Sequence, residues 1–273
     1  MKSLLSRFRP DPAVDQTPGA ASVRPDAQPF HAVGDPVGVL LCHVFTGSPQ
    51  SMRPWAEFLA AQGYTVSLPR LPGHGTRWQE LNRTQWQDWY ACVDAELTTL
   101  RESCRTVFVM GLSMGGTLAL RLAEQRGDDV AALVLVNPAV CTDDKAITYL
   151  LPALYRWVPS FPGIANDIAR PGVSEDGYTR SPLRAAYSMT RMWIEVGQNL
   201  NKITCPLLLF RSDVDHVVDP TSARLILAEV RSGDLTERRL TRSYHVATLD
   251  YDAEDIFAGS VAFIQRQVAS ADA

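Results

Sequence analysis

The sequence predicts an α/β protein whose mostly parallel sheet is covered by helices on both faces. From Pro29 to the C-terminus, short apolar runs alternate with stretches of helical periodicity, an order typical of parallel strands joined by helices. The run at 37–42 is apolar throughout, as expected for a strand that is buried on both faces. A chain of 273 residues with 46% hydrophobic residues is long enough to bury one core of this kind.

The elements follow one another in a regular order. The segments with the pattern of buried strands are 37–42, 64–68, 106–110, 130–136, 205–210 and 235–240. The segments with helical periodicity are 51–62, 84–102, 114–125, 220–230 and 253–268. Pro54 near the start of the first helix, Gly63 at its end and Pro220 at the start of the fourth support these bounds, because proline suits a first helical turn and glycine a C-terminus.

Two stretches break this order and define the domain organisation. Residues 1–28 contain prolines that interrupt any period, so we expect a flexible N-terminal tail before one folded domain over residues 29–273. Residues at about 140–200 contain no run typical of a parallel strand, but 147–164 are rich in apolar and aromatic residues, with prolines that prevent one long helix. We interpret this stretch as a helical cap inserted over an active site. Ordinary helical packing is the alternative.

Composition excludes several classes of protein. The chain has 26 basic and 30 acidic residues and a net charge of −4, which predicts no attraction to nucleic acid or to anionic membranes. No apolar stretch has the length of a membrane span, and the N-terminus has no apolar run of signal-peptide length. The five cysteines are scattered without a C-x-x-C pair, so neither a disulfide framework nor a zinc site is predicted. We therefore expect a cytoplasmic protein.

A candidate nucleophile lies between a predicted strand and a predicted helix. Residues 111–115 read GLSMG and fit the pattern G-x-S-x-G, in which the serine occupies a sharp strand-to-helix turn. The glycines let the chain turn tightly, and the helix N-terminus beside Ser113 favours negative charge there. The alternative is a glycine-rich turn with an idle serine.

A serine nucleophile needs a base and an acid. In this architecture the acid and then the histidine follow the serine in the sequence, and only His216 and His245 follow Ser113. His245 comes just after the last predicted strand and is the expected base. Asp215 is the expected acid because it lies at the apex of the loop after the fifth strand, and Asp213 is the second candidate.

Acyl transfer also needs hydrogen-bond donors for the oxyanion that develops on the substrate. The main-chain N–H of Met114, the residue after the nucleophile, is one expected donor. The loop after the first predicted strand, residues 43–47, supplies the other, which we assign to the main-chain N–H of Phe45. The side chains of both residues are expected to wall an acyl pocket.

These segments together resemble the α/β-hydrolase superfamily over nearly the whole chain from about Pro29. More narrowly, the sequence is similar to the bacterial monoacylglycerol lipases and related carboxylesterases. The similar segments are HVFTGSP at 43–49, PRLPGHGT at 69–76, GLSMGG at 111–116, DVDHVV at 213–218 and SYHVATLDYD at 243–252.

The resemblance implies an α/β-hydrolase fold with a mobile hydrophobic cap over roughly 140–200. It implies Ser113, Asp215 and His245 as the catalytic triad, with Phe45 and Met114 in the oxyanion hole, and no metal or organic cofactor. The implied reaction is the cleavage of carboxylic esters through an acyl-enzyme, with a small-molecule ester or lipid such as a monoacylglycerol as substrate. A general short-chain carboxylesterase, a C–C bond hydrolase and a non-catalytic ligand binder are the alternatives.

One position departs from the family pattern. Val44 stands where the family has glycine after the first histidine. A β-branched residue either constrains the loop and misdirects the Phe45 N–H, or fits because the backbone φ angle there is negative.

Overall fold

A twisted sheet forms the centre of the molecule. The computed structural model describes residues 22–163 and 166–271, and within them seven strands form this sheet in the order β1-β3-β2-β4-β5-β8-β9. The strands are β1 (Phe30–Ala32), β2 (Asp35–Cys42), β3 (Tyr64–Leu68), β4 (Thr106–Leu112), β5 (Ala132–Val136), β8 (Leu207–Ser212) and β9 (Leu235–Leu240). All pairs are parallel except β1 with β3.

Helices cover both faces of this sheet. The longer ones are α1 (Arg53–Ala61), α3 (Trp86–Ser103), α4 (Met114–Gln125), α6 (Leu183–Gly197), α7 (Thr221–Glu229) and α8 (Ala253–Ala271), and α2 (Trp78–Leu81) and α5 (Leu151–Leu154) are single turns. Along β4, Val107 and Val109 face one buried cluster and Phe108 and Met110 face the other. The first cluster contains α3, α4, α6 and α7, and the second contains α1 and α8. The predicted α/β class is therefore confirmed.

The predicted elements agree closely with the structure, apart from short strands. The bounds of β3, α4 and β9 match the prediction, and the remaining predicted bounds differ by a few residues. The antiparallel edge strand β1 was not predicted, because three residues are too few to show a pattern.

The segment between β5 and α7 contains most of the irregular structure. A π-helical turn at Ala146–Leu150 leads into α5, and strands β6 (Ser160–Pro162) and β7 (Arg180–Pro182) pair as a separate two-stranded antiparallel sheet. Helix α6 follows, and its Met192 and Val196 are buried in the main core with α3 and α4. The expected cap region thus combines a helical turn, a small sheet and a helix that is part of the domain core.

The folded chain includes residues that the proline spacing assigned to the tail. Residues 1–21 of that tail lie outside the described residues. Residues 22–28, however, pack on the domain: Ala27 is fully buried, and the Arg24 N–H donates to the Gly75 carbonyl at 2.9 Å. Such contacts join segments far apart in the sequence, so a local pattern cannot reveal them.

Three structural observations concern the membrane-spanning, disulfide-linked and zinc-binding classes of protein that the composition excluded. In the described ranges, no helix is both long and apolar enough to cross a membrane. The five cysteines have free thiols. Among residues 22–163 and 166–271, no group of three or more His, Cys, Asp and Glu side chains is arranged to hold a metal ion.

Candidate active site

Ser113 occupies a strained turn between β4 and α4. Its backbone has φ 56° and ψ −119°, a conformation that a residue with a side chain adopts only at a cost. The turn is closely packed, because a Cβ atom on Gly115 would lie 1.9 Å from the Cys42 carbonyl oxygen and one on Gly111 would lie 2.3 Å from Gly115. The glycines of the motif are therefore required by close backbone approach, and the turn holds the serine beyond the end of its strand.

Asp215 and His245 form an ion-pair hydrogen bond. The His245 Nδ1 and Asp215 Oδ2 atoms are 2.7 Å apart, and both side chains are more than 90% buried. The other oxygen of Asp215 accepts the main-chain N–H groups of Val217 and Val218, each at 2.8 Å. Asp213, the second candidate acid, is an exposed residue and instead pairs with Arg239. Of the two carboxylates, the structure brings only Asp215 to His245.

The hydrogen-bonded pair of Asp215 and His245 shifts the pKa of both side chains. Burial of the His245 imidazole disfavours its charged form and so acts to lower its pKa. The negative charges of Asp215, Glu175 and Asp167 together have a larger effect in the opposite direction, so the pKa of His245 is raised. Burial likewise opposes the charged form of Asp215, but His245 and the two N–H donors outweigh it and lower the pKa of this carboxyl. Asp215 is therefore suited to hold the Nδ1–H tautomer of His245, which leaves Nε2 free to accept a proton.

Ser113 and His245 line one cavity of about 470 Å³. Within the described part of the chain, the two side chains make no hydrogen bond to each other, whereas His245 and Asp215 do. Hydrogen bonds of this kind are often long before substrate binds and tighten in the complex. The three predicted residues thus meet at the carboxyl edge of the sheet, and the Ser113 hydroxyl faces a space large enough for a ligand.

The two expected oxyanion donors lie on adjacent segments. Met114 is the first residue of α4, so its N–H has no partner within the helix. Because Gly115 packs against the carbonyls of Cys42 and His43, this helix start lies beside the loop that contains Phe45. Phe45 also lines the cavity. The structure thus places both candidate donors close to the Ser113 turn.

Buried histidines hold the loop that contains Phe45. His43 Nε2 accepts the Leu71 N–H at 3.1 Å, and its Nδ1 donates to the Val44 carbonyl at 3.0 Å. Burial lowers the pKa of His43 to about 4, and burial together with His43 lowers that of His74, whose ring packs edge-on against it. Both rings are therefore neutral at neutral pH and act as fixed hydrogen-bonding supports.

Val44 fits its position in this loop. Among the described residues, the non-glycine residues with positive φ are Thr46, Ser113, Asn137 and Asn166, and Val44 is not one of them. Its side chain is 4% exposed and packs with the buried residues of the second cluster. The β-branched residue therefore meets no steric penalty at this point of the loop.

The cavity is mainly apolar, with polar groups near Ser113. Its apolar residues come from the oxyanion loop (residues 43–47), the loop after β5, the segment 146–162, α6 and the loops of Asp215 and His245. They are Val44, Phe45, Ala139, Ala146, Ile147, Leu150, Leu151, Leu154, Phe161, Pro162, Leu183, Ala186, Met189, Trp193, Val217, Val218 and Val246. Such a lining suits a hydrocarbon chain.

Glu175 is a cavity residue that the sequence analysis missed. Its Oε1 atom is buried and has no hydrogen-bond partner in the described residues, and a Cβ on Gly47 of the oxyanion loop would lie 2.5 Å from that atom. Burial raises the pKa of Glu175 to about 7, although the charge of His245 opposes this. A buried carboxyl oxygen without a hydrogen-bond partner is costly. No local signal marks Glu175, since it is a single acidic residue in an irregular segment.

Asn137 is a second residue that the sequence analysis missed. It follows β5 with φ 44°, and its Nδ2 donates to the His245 carbonyl at 2.8 Å and to the Ser212 hydroxyl at 2.9 Å. Its Oδ1 accepts the Ser212 N–H at 2.8 Å. Asn137 therefore ties the end of β8 to the loop of His245. Its position directly after a predicted strand was the signal that could have identified it.

The chain is similar to proteins with lipolytic activity. It is 44% identical over 243 residues to the thermostable monoacylglycerol lipase of Bacillus sp. (strain H-257), a match that covers 88% of this chain and 95% of that protein. It is 25% identical over 241 residues to the carboxylesterase of Bacillus subtilis (strain 168), covering 88% of this chain and 96% of that protein.

Solved structures show the same architecture. A structure of the metagenome-derived lipolytic enzymes LipS and LipT matches with a TM-score of 0.87 and 39% identity, covering 90% of this chain and 100% of that chain. A monoglyceride lipase from Saccharomyces cerevisiae shares the fold, with a TM-score of 0.72 at 16% identity, over 95% of this chain and 99% of that chain. The model of the family Hydrolase_4, serine aminopeptidase, S33, matches residues 37–252. The chain therefore belongs to the Hydrolase_4 family and has the α/β-hydrolase fold.

Proposed function

We propose that this protein hydrolyses carboxylic esters through an acyl-enzyme, with Ser113 as nucleophile, His245 as general base and Asp215 as the group that orients His245. The observation that carries the proposal is the convergence of these residues. Ser113, at a strained turn, faces the same cavity as His245, and His245 is hydrogen-bonded to the buried Asp215. This is the constellation that activates a serine hydroxyl.

The reaction proceeds in two halves. The Ser113 Oγ attacks the ester carbonyl carbon while His245 Nε2 takes its proton, and the N–H groups of Phe45 and Met114 stabilise the oxyanion. The tetrahedral intermediate collapses, the ester C–O bond breaks, and His245 gives its proton to the departing alcohol. Water then attacks the acyl-serine while His245 takes a proton from it. The carboxylic acid leaves as the proton returns to Ser113 Oγ.

The proposed substrate class is monoacylglycerol. The mainly apolar cavity of about 470 Å³ supports an acyl chain of medium length, and the unpartnered carboxyl oxygen of Glu175 supports a leaving group with hydroxyls that need an acceptor. The 44% identity to a monoacylglycerol lipase supports the same substrate. The products are a fatty acid and glycerol, and the chemistry needs no metal or organic cofactor.

Chain-length profiling tests this proposal. The measurement is kcat/KM for 4-nitrophenyl esters from acetate to palmitate, together with glycerol release from 1-monolauroylglycerol, with Ser113→Ala as the control. We expect turnover that depends on Ser113, with a maximum at medium chains, and release of glycerol. A maximum at acetate or butyrate without glycerol release would favour the short-chain carboxylesterase instead.

Covalent labelling tests the alternatives outside ester hydrolysis. A fluorophosphonate reacts with an activated serine whatever the natural substrate is, so we expect wild-type protein to be labelled and Ser113→Ala to remain unlabelled. A wild-type protein that is not labelled would support the non-catalytic binder. Cleavage of a vinylogous diketone in preference to esters would support the C–C bond hydrolase.

Two expectations from the composition stay predictions. They are that the protein does not bind nucleic acid and that it is located in the cytoplasm.

A further inference from the structure

Asp167 connects the segment between β6 and β7 to both loops that carry the acid and the base. Its Oδ2 atom accepts the main-chain N–H of His216 and that of His245, each at 3.1 Å. Its Oδ1 atom lies 2.7 Å from His216 Nδ1, and its own carbonyl accepts the Val246 N–H at 3.1 Å. The carboxyl side chain is 10% exposed, and Asp167 lines the cavity.

The two loops that Asp167 joins come from different strands. His216 is next to Asp215 in the loop after β8, and His245 lies in the loop after β9. One carboxylate oxygen therefore fixes the backbone on both sides of the Asp215–His245 hydrogen bond. The His216 ring adds a further support, because it packs edge-on against the Tyr244 ring with a centroid distance of 4.8 Å.

We propose that Asp167 is a positioning residue, which holds the backbones of the acid and base loops in register and places a further carboxylate near His245. Its carboxylate bonds to the backbones of the two loops and not to Ser113, so it acts through His245. A displacement of about 1 Å in a catalytic group costs about 100-fold in rate, so a group that fixes both loops has a large effect. The inference rests on the proposed ester hydrolysis at Ser113.

The carboxylate also acts on the charge of His245. The charged groups that face the His245 imidazole are Asp215, Glu175 and Asp167, and each favours the imidazolium. Removal of the Asp167 charge therefore lowers the pKa of His245. Since the base must be neutral to accept the Ser113 proton, the acid limb of the activity profile then moves to lower pH.

Two substitutions distinguish the hydrogen bonds that Asp167 accepts from the effect of its charge. Asp167→Asn is isosteric, and its amide oxygen can still accept both N–H groups, so we expect activity to remain while the acid limb moves to lower pH. Asp167→Ala removes the acceptor as well, and we expect a loss of about 10- to 100-fold at the optimum. The readouts are kcat/KM for 4-nitrophenyl butyrate and the rate of fluorophosphonate labelling of Ser113, both measured as a function of pH.

Asp213→Asn is the matched control. It removes a carboxylate from the same loop as Asp215, but Asp213 pairs with Arg239 and does not face His245, so we expect the wild-type profile. Wild-type activity of a folded Asp167→Ala protein would overturn the positioning role. An Asp167→Asn profile that superimposes on the wild-type profile would overturn the effect of the charge, even if Asp167→Ala fails to fold. Wild-type protein that neither labels nor turns over would instead reject the proposed function, so the two failures are distinguishable.

Discussion

At the scale of single residues, the environment of each carboxyl group decides its chemistry. Asp213 and Asp215 are two residues apart in one loop, but one pairs with a half-exposed arginine and the other with a buried imidazole. Glu175 is a third case, because its buried oxygen has no partner in the part of the chain that the structure describes. The burial and the partners of each carboxyl group, and not the residue type, therefore distinguish a candidate orienting acid, a surface ion pair and a candidate ligand-binding group.

The first residue-scale prediction concerns the two candidate acids. Asp215→Asn leaves the geometry but no longer holds the Nδ1–H tautomer of His245, so we expect kcat to fall by about 10⁴-fold, as is typical of this substitution in a triad. Asp213→Asn should retain most of the activity, because its partner is Arg239. Steady-state kinetics on one 4-nitrophenyl ester measures both. Loss of activity with Asp213→Asn alone would contradict the assignment of Asp215.

The second residue-scale prediction concerns the pH dependence of stability. The folded-state pKa of Glu175 is about 7, above its unfolded value, so the folded state binds this proton more tightly than the unfolded state does. Its contribution to stability is fully present below the unfolded pKa and is lost as the pH rises through about 7. We therefore expect Glu175→Gln to be more stable than wild type at pH 8, with little difference at pH 4.

Thermal unfolding between pH 4 and pH 9 measures this difference in Tm. Glu102→Gln is the control, since Glu102 is an exposed residue of α3, and we expect its Tm to follow that of wild type across this range. A Glu175→Gln variant that is less stable than wild type at pH 8 would contradict the assignment of a buried carboxyl group without a partner.

At the scale of elements, the turn between β4 and α4 depends on backbone contact. Helix α4 starts where the carbonyls of Cys42 and His43, at the end of β2, come close to Gly115. The same contact brings the oxyanion loop beside Ser113. The motif at 111–116 is therefore a packing requirement between three elements as well as a chemical signature.

Alanine at Gly115 tests this packing. A Cβ at this position would lie 1.9 Å from the Cys42 carbonyl oxygen, so the strand end and the helix must separate. We expect Gly115→Ala to lose about 1–3 kcal/mol of unfolding free energy or more, the usual cost of overpacking, and to lose most of its activity. Gly233→Ala is the matched control because a Cβ there meets nothing within 4 Å. Urea unfolding compares the two, and equal stability would contradict the account.

At the scale of the whole molecule, the N-terminal segment is linked to the active site. Arg24 pairs with Asp176 at 2.8 Å and stacks on the Tyr178 ring at 5.2 Å. The Tyr178 N–H donates to the Thr46 carbonyl of the oxyanion loop at 2.9 Å. Residues 22–27 therefore brace the segment that carries Glu175 against the loop that carries Phe45.

Two truncations test this link. Removal of residues 1–21 leaves the contacts of Arg24 and Ala27 intact, so we expect the Tm and kcat/KM of the full chain. Removal of residues 1–27 breaks the Arg24 contacts and uncovers the site that buries Ala27, so we expect a lower Tm and a lower kcat/KM. Identical behaviour of the two truncated proteins would show that the segment has no such role.

Sequence patterns determined the framework of this protein. Strands buried on both faces and amphipathic helices have local periodicities, so the parallel sheet and helix α4 could be read directly. The motif around Ser113 and the order of Asp215 and His245 along the chain were sufficient to select the residues that the structure brings together. These features could be predicted because their physical requirements lie within a few neighbouring residues.

The tertiary structure alone decided the surroundings of that framework. Glu175 and Asp167 have no local pattern, and they acquire their environments only when segments far apart in sequence meet at the carboxyl edge of the sheet. The same holds for Arg24, which the proline spacing placed in a tail. Burial and the matching of donors with acceptors are properties of the folded arrangement, and they decide which polar side chains complete the site.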